Sequence, residues 1–348
     1  MRIIVTGGNS GIGRATATAL AAAGHSVLIT GRDIPKAERA AAKMAGDVEV
    51  AHLDLADLTS VRKFADSVES VDVLVNNAGV LGMPLTRTAD GFEALMGTNY
   101  LGHFALTCLL GDKIKDRVVS VTSMNYRFSH LYLDDLNWHT RKYSKWAAYG
   151  QSKLAIMLFT TELARQGVRA YAADPGGADT NIVRYSTGHL AWSSRQRWLR
   201  NFPQSPQKAA RSTILAVTTD LPSGTYLAPR FLQFGKPRVT KVRGKARDPV
   251  MARRLWELSV ELTGCDWQGL RGGSPPRSRP PRGRLRPGTL RPRHHLHRHT
   301  LARRWLDLAN RNRPRTAHPY RPHRLTLRRT IERVFSSLDN EPGIMSRS

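Results

Sequence analysis

Several things are scarce in this 348-residue chain, and each scarcity narrows what it can be. No apolar run approaches the roughly 20 residues a membrane span requires, and the first strand-like segment starts at residue 2, so no signal peptide is expected. These two absences point to a soluble, cytoplasmic protein. There are only two cysteines, Cys108 and Cys265. They lie in apolar or helical contexts without metal-ligand spacing, which excludes a disulfide framework and predicts buried structural thiols and no metal site. Acids are few as well, 27 against 54 Lys+Arg, for a net charge of +27. Lysine is missing altogether from residues 268–348, which hold 20 Arg, 4 acids and 10 of the 19 prolines. Residues 1–267 carry 34 basic and 23 acidic residues with apolar runs throughout. The change near Trp267 therefore predicts a domain over 1–267 and a separate basic tail over 268–348. High charge and ten prolines predict that this tail is largely disordered. Its all-Arg composition resembles out-of-frame translation of a GC-rich gene more than a nucleic-acid-binding arm, in which Lys and Arg usually mix. No specific nucleic-acid partner is expected.

What is plentiful is order of another kind. Ile3-Ile4-Val5 reads as a buried strand and is followed at once by Thr6-Gly7-Gly8-Asn9-Ser10-Gly11-Ile12-Gly13 and an alanine-rich helix from Arg14 to Ala23. Glycines at such a turn let the backbone pass close to a pyrophosphate, whose charge the free amides of the helix N-terminus stabilise. Apolar segments at 26–30, 48–53, 71–75, 117–123 and 168–173 alternate with helical segments at 36–45, 58–68 and 154–164. That alternation predicts right-handed crossovers and a doubly wound parallel sheet, with ligands beyond the carboxyl ends of the strands. A further helix at 207–219, a short strand at 224–227 and an amphipathic helix at 248–263 closed by Gly264 complete the domain.

The strand ends carry the chemistry. The second strand ends in Gly31 and Arg32, and an arginine at that place favours a ribose 2′-phosphate, so NADP(H) is expected, with NAD(H) the alternative in which Asp33 reaches the ribose instead. Asp54 and Leu55 follow the third strand, and Asn76-Asn77-Ala78-Gly79 the fourth. Asn99 lies in a helix that reads as buried, where an amide needs a hydrogen-bonding reason. Ser123 ends the fifth strand. Tyr149 and Lys153, four residues apart, share one helix face with Cβ atoms about 5–6 Å apart. A neighbouring ammonium favours the phenolate of a tyrosine, so the pair suits acid–base work. Residues 181–206, with Trp192, Trp198, Leu199 and Phe202, read as the wall of a pocket for a bulky apolar substrate.

Together these segments resemble the short-chain dehydrogenase/reductase family over residues 1 to about 267. The motifs that carry the resemblance are Thr6-Gly7-x-x-x-Gly11-x-Gly13, Asp54, Asn76-Asn77-Ala78-Gly79, Asn99, Ser123, Tyr149-x-x-x-Lys153 and Pro175-Gly176-x-x-x-Thr180. Within the family, Ala89-Asp90-Gly91-Phe92-Glu93, Asn99-x-Leu101-Gly102-His103-Phe104 and Leu255-Trp256-Glu257-Leu258-Ser259 look like the retinol-dehydrogenase-like branch, which also contains the oxidoreductase with WW domains. The resemblance implies a single Rossmann domain, use of NADP(H), and hydride transfer at an alcohol or carbonyl carbon of a small-molecule substrate, whose apolar character is read from the aromatics of residues 181–206. It assigns proton transfer to Tyr149, the substrate oxygen to Ser123, and to Lys153 both the lowering of the Tyr149 pKa and the nicotinamide ribose. It gives a water in the proton relay to Asn99, the adenine to Asp54, the adenosine side to Asn76 through Gly79, and the carboxamide to Thr180. Gly7, Asn9, Ser10, Gly11, Ile12, Gly13, Arg32, Leu55, Ala78, Pro175 and Gly176 complete the implied cofactor contacts. A homodimer or homotetramer is also implied. One position departs from the branch, which usually has His before Pro-Gly where this chain has Asp174. A competing class is a dinucleotide-binding redox sensor without turnover; the intact Ser123, Tyr149 and Lys153 argue against it.

Overall fold

A computed structural model of the chain describes residues 1–177, 204–231 and 233–267. Strands β1 (Arg2–Thr6), β2 (Ser26–Gly31), β3 (Val48–His52), β4 (Val71–Asn76), β5 (Ile114–Val121), β6 (Ala170–Ala173), β7 (Tyr226–Pro229) and β8 (Pro237–Thr240) form one sheet in the order β3-β2-β1-β4-β5-β6-β7-β8. All pairs are parallel except β7 with β8. The expected doubly wound α/β Rossmann fold is what forms. β8 was not foreseen: Pro237-Arg238-Val239-Thr240 is short, starts on proline and lacks an apolar alternation, all of which suit an exposed edge strand and none of which announces one.

The strands are apolar on both sides, and their side chains sort by parity. Ile4, Leu28, Leu74, Val118, Ala170 and Ala172 enter one core, while Ile3, Val5, Val27, Ile29, Val73, Val75, Val119, Tyr171 and Ala173 enter the other. Against the second core lie α1 (Gly11–Ala22), α2 (Ile34–Ala41) and the helix Arg211–Thr218; against the first lie α3 (Leu58–Ser67), α5 (Gly102–Leu110), α6 (Lys145–Arg165) and the helix Pro249–Thr263. Helix starts carry capping side chains where the sequence offers them. Asp33 accepts from the Lys36 amide at 2.9 Å, Asp57 from Thr59 at 2.8 Å, and Asp248 from Val250 and Met251 at 2.9 and 3.1 Å.

Three boundaries differ from the sequence reading. Helix α1 begins at Gly11 rather than after Gly13, because the glycines themselves enter the first turn. Helix α6 begins at Lys145, one turn before Tyr149, with Ser144 as its cap, so Tyr149 is held inside the helix and does not open it. The helix carrying Asn99 starts as the single turn α4 (Ala94–Met96), widens to a π-turn over Gly97–Leu101 and continues as α5. Gly102 lets this widened helix touch the loop after β3, since a Cβ there would lie 2.3 Å from the Leu55 carbonyl oxygen.

The helix Pro249–Thr263 clamps the face of the sheet that carries α5 and α6. The Trp256 ring packs on Phe104 and Phe159 with centroids 5.1 and 5.9 Å apart, and Ser259 shares a 2.7 Å hydrogen bond with the Tyr100 hydroxyl. Both cysteines are free and buried, as expected. Trp267 is only 7% exposed and fills the space over Gly111, so the domain extends at least to that residue. The tail over 268–348 lies outside the described residues, as do residues 178–203, which include all but the last three positions of the expected pocket wall over 181–206, with Trp192, Trp198, Leu199 and Phe202.

Candidate active site

The order of strands reverses between β1 and β4, and the polar strand ends gather at this edge. Thr6, at the end of β1, is the knot. Its hydroxyl oxygen accepts from the Asn77 and Ala78 amides at 2.9 and 3.0 Å, and Asn77 Nδ2 donates to its carbonyl at 2.7 Å. The Thr6 hydroxyl also lies 2.9 Å from His103 Nε2, while His103 Nδ1 lies 2.9 Å from the Asn99 carbonyl. A carbonyl can only accept, so Nδ1 carries a proton, while the single Thr6 hydroxyl proton is shared between Nε2 and the Val75 carbonyl 3.3 Å away. Burial pushes the His103 pKa down to about 4, with the Lys153 charge acting the same way and the hydrogen bond to Asn99 opposing.

Asn99 sits in the π-turn, where helices are often widened at functional sites. Its amide oxygen accepts from the Val80 amide at 2.7 Å, and its nitrogen donates to the Val80 carbonyl at 3.0 Å and to Ser152 Oγ at 3.1 Å. Asn99 thus fastens the loop after β4 to α6, beside Lys153.

On α6, Lys153 is 3% exposed and its Nζ donates to the Val121 carbonyl at 3.1 Å. The Lys153 Nζ stands 5.5 Å from the centroid of the Tyr149 ring, so the spacing of four does bring the two together. The Ser123 side chain lies near enough to Tyr149 to favour its ionised form, and its Oγ accepts from the Asn125 amide at 3.4 Å. Gly150 lets α6 pack on the turn that follows Ser123, because a Cβ there would lie 2.0 Å from Ser129 Oγ. Buried Tyr149 and Lys153 and half-buried Ser123 therefore form one cluster at the carboxyl edge of the sheet. Burial lowers the Lys153 pKa to about 8, opposed by the negative charge of Asp174. Tyr149 moves the other way from the sequence expectation: burial, with a smaller push from Asp174, holds its hydroxyl above the ordinary tyrosine range, and the nearby Ser123 side chain only partly offsets this.

On the other side of the switch point the site is made of backbone. Gly7 and Gly11 have φ of +65° and +54°. A Cβ on Gly13 would lie 2.4 Å from the Gly7 carbonyl oxygen and 2.4 Å from Asn77 Nδ2. Ser10 is the N-cap of α1, yet its side chain makes no capping bond, and no acid occupies the first turn. A glycine cradle ending in uncapped helix amides fits the pyrophosphate of a dinucleotide. Gly31 faces the Asn9 side chain, and a Cβ there would sit 2.9 Å from Asn9 Nδ2. Arg32 is exposed beside it, while the Asp33 carboxylate is engaged in capping α2. Asp54 is half-buried, its Oδ1 accepting from the Ala56 amide at 2.9 Å, and Leu55 is buried behind it. Asn76 is turned inward, its Nδ2 donating to Thr107 Oγ1 at 3.0 Å, so it braces the loop rather than facing the crevice. Ala78 and Gly79 are half-buried at the crevice, where a Cβ on Gly79 would lie 3.2 Å from Asn99 Oδ1 and 3.8 Å from Lys153 Nζ. Pro175 and Gly176 close β6, with Gly176 donating to Asp174 at 2.8 Å. Thr180 and the substrate wall lie outside the described residues. Ile12 lies in the first turn of α1, with the glycines.

A family model described as short chain dehydrogenase matches residues 1–190. The chain belongs to the short-chain dehydrogenase/reductase family. Its relatives include human retinol dehydrogenase 13, 42% identical over 300 residues that cover 79% of this chain and 88% of the relative. Human retinol dehydrogenase 12 is 37% identical over 287 residues, covering 76% and 87%. This member therefore falls in the retinol-dehydrogenase-like branch of an oxidoreductase family. A crystal structure of an uncharacterized protein from Mycobacterium Paratuberculosis superposes with a TM-score of 0.67 at 45% identity, covering 76% of this chain and 94% of that one.

Sequence reasoning missed the Thr6–His103–Asn99 chain of hydrogen bonds and the partners of Asp174. The first had a signal, a histidine four residues after the buried asparagine; the second depends on Met124, Arg127 and Tyr226, which no local pattern connects to it.

Proposed function

We propose that this family member is an NADP(H)-dependent oxidoreductase that interconverts a small apolar alcohol and its aldehyde or ketone, with Tyr149 as the general acid and base. The observation that carries the reading is the cluster of half-buried Ser123 with buried Tyr149 and Lys153, with Gly79 beside Lys153 Nζ and a glycine cradle at the start of α1. When bound, the nicotinamide supplies or takes the hydride. The residues here do the rest. Ser123 orients the substrate oxygen toward Tyr149. Tyr149 donates its hydroxyl proton to the oxygen in reduction and takes it back in oxidation. Lys153 Nζ, near enough to the ring to act on it, contributes positive charge as the proton leaves. Asn99 is a positioning residue in this scheme, since its amide ties the crevice loop to α6. Gly7, Gly11 and Gly13 admit the pyrophosphate. Arg32 meets the 2′-phosphate, a reading supported by its exposure beside Gly31 and by the capping duty that occupies Asp33. Relatives named for retinol dehydrogenation support an apolar alcohol as the substrate class.

The test is turnover by Tyr149→Phe against a panel of ketones, aldehydes and alcohols with both dinucleotides. Turnover should fall about 100-fold or more, the scale of positioned acid–base catalysis, with Tm and cofactor affinity retained. Turnover near the wild-type level would end the assignment.

A further inference from the structure

Asp174 is, among the described residues, the one buried carboxylate whose charge acts on both Tyr149 and Lys153. It is 1% exposed at the carboxyl end of β6. Oδ1 accepts from the Gly176 amide at 2.8 Å and Oδ2 from the Tyr226 hydroxyl at 2.7 Å. A third donor is the Met124 amide, in the residue that follows Ser123, and the Arg127 guanidinium adds positive charge nearby. Burial pushes the Asp174 pKa up, and the Gly176 amide, the Tyr226 hydroxyl, the Arg127 charge and the Met124 amide oppose it; backbone amides can only donate, so they and the guanidinium favour the ionised form.

The backbone brings this charge to the catalytic groups. Val121 pairs with Ala173, the residue before Asp174, and it is the Val121 carbonyl that receives the Lys153 Nζ. Met124 links the same carboxylate to the turn that presents Ser123 to Tyr149. Arg127 offers incomplete compensation: its Nε is buried without a hydrogen-bond partner, and its guanidinium carbon lies 5.8 Å from the centroid of the Tyr126 ring.

We propose that Asp174 is a positioning residue of this site, a buried counter-charge built in from β6 that holds the Lys153 ammonium and keeps Tyr149 a neutral phenol until the proton is called for. The inference rests on the assignment of proton transfer to Tyr149. The charged and titratable groups around it are Tyr226 from β7, Arg127 and Tyr126 from the turn after β5, Tyr149 and Lys153 from α6, and His103 from α5, which lies on the far side of Lys153. An anion disfavours a second anion and favours a cation. Removing it therefore moves the titrations of Tyr149 and Lys153 in one direction, toward lower pH. A merely structural role would lower activity without moving the profile.

The experiment compares Asp174→Asn, which removes the charge in a similar volume, with Asp174→Glu, which keeps it; Asp174→Ser replaces the first variant if that one does not fold. In the pH profile of kcat/KM, both limbs of Asp174→Asn should shift to lower pH by about one unit, the scale of a single nearby charge, while Asp174→Glu keeps them close to the wild-type positions. A second readout needs neither cofactor nor turnover. The phenolate absorbance of Tyr149, taken as the difference between each protein and its Tyr149→Phe counterpart, should rise at lower pH in Asp174→Asn than in the wild type. Unmoved limbs and an unmoved phenolate transition would overturn the proposal while leaving Tyr149 in place. Normal turnover by Tyr149→Phe alone would instead overturn the assignment beneath it.

Discussion

The sheet edge from β1 to β4 and the edge from β5 to β7 present the two halves of one site, and they are built by opposite means. The first half is backbone: positive φ at Gly7 and Gly11, missing Cβ atoms at Gly13 and Gly31, and uncapped amides at α1. The second half is buried side chains, Tyr149, Lys153 and Asp174, each with its pKa displaced by burial and neighbours. A backbone cradle fails by steric intrusion, whereas a side-chain cluster fails by changes in charge and proton placement. The halves should therefore break independently and show different symptoms.

The largest separation should come from Gly13→Ala set beside Tyr149→Phe. A methyl at Gly13 must displace the Gly7 carbonyl or the Asn77 amide, both 2.4 Å away. Overpacking of this kind costs about 1–3 kcal/mol. Because the cradle is remade only at that expense, dinucleotide affinity should fall by roughly 10- to 100-fold or more. Isothermal titration with NADP would show it. Unlike Tyr149→Phe, the variant should keep a turnover rate within a few-fold of wild type at saturating cofactor. A normal Kd would mean that the cradle yields, and the contrast between the halves would lose its basis.

Next in size is a pH effect located where the halves meet. His103 joins Thr6 on one side to Asn99 on the other and is neutral in the folded chain, with its pKa lowered to about 4 from the ordinary 6.5. A depressed pKa gives stability that is complete above the unfolded value and is lost as pH falls through the folded one. Between pH 6.5 and about 4 the unfolded chain binds a proton that the native chain refuses. The loss over that window is on the order of 3 kcal/mol. Denaturant melts at pH 7 and pH 4.5 should show a smaller difference for His103→Gln than for the wild type. An equal pH dependence would mean that the imidazole is not held neutral.

How far the sequence discloses each half follows from the same contrast. Backbone devices leave local marks, so the strand–glycine–helix segment, Asn76 through Gly79 and the Tyr149–Lys153 spacing were legible from neighbours a few residues apart. Side-chain networks do not. Asp174 meets Tyr226, 52 residues on, and Asn99 meets Ser152, 53 residues on. The direction of the Tyr149 shift was misjudged for that reason: local spacing reveals the lysine but not the burial that outweighs it. The π-turn at Asn99 and the exposed edge strand β8 lack any periodic signal of their own. Asp54 shows a middle case, visible as a strand-end acid while its bond to the Ala56 amide was not.

A third experiment asks whether the backbone half contains a charge that matters. Arg32 is its exposed cation, and a charge-assisted hydrogen bond to a 2′-phosphate contributes about 1.5–3 kcal/mol. Arg32→Ala should weaken NADP binding by roughly 10- to 100-fold and leave NAD nearly unchanged. Equal weakening of both would reduce Arg32 to a loop residue and return the choice of dinucleotide to Asn9 and the loop around it.

The smallest effect is expected from the largest change, deletion of residues 268–348. Those residues carry +16 of the net charge of +27, with arginine as their only side-chain cation apart from histidine. Trp267 is buried and packs over Gly111, so the core reaches this residue. A chain ending at Trp267 should therefore melt within about 1 kcal/mol of the full chain, the range of changes that disturb no core, cap or buried pair. Turnover should be equal and adhesion to polyanions weaker, with the difference vanishing as salt rises. Trp267→Ala sharpens the boundary, because emptying that space should cost about 3–5 kcal/mol. If the truncated chain fails to fold while Trp267→Ala is harmless, the domain ends further along than its composition implies, and the basic segment is part of the structure that holds the two halves of the site together.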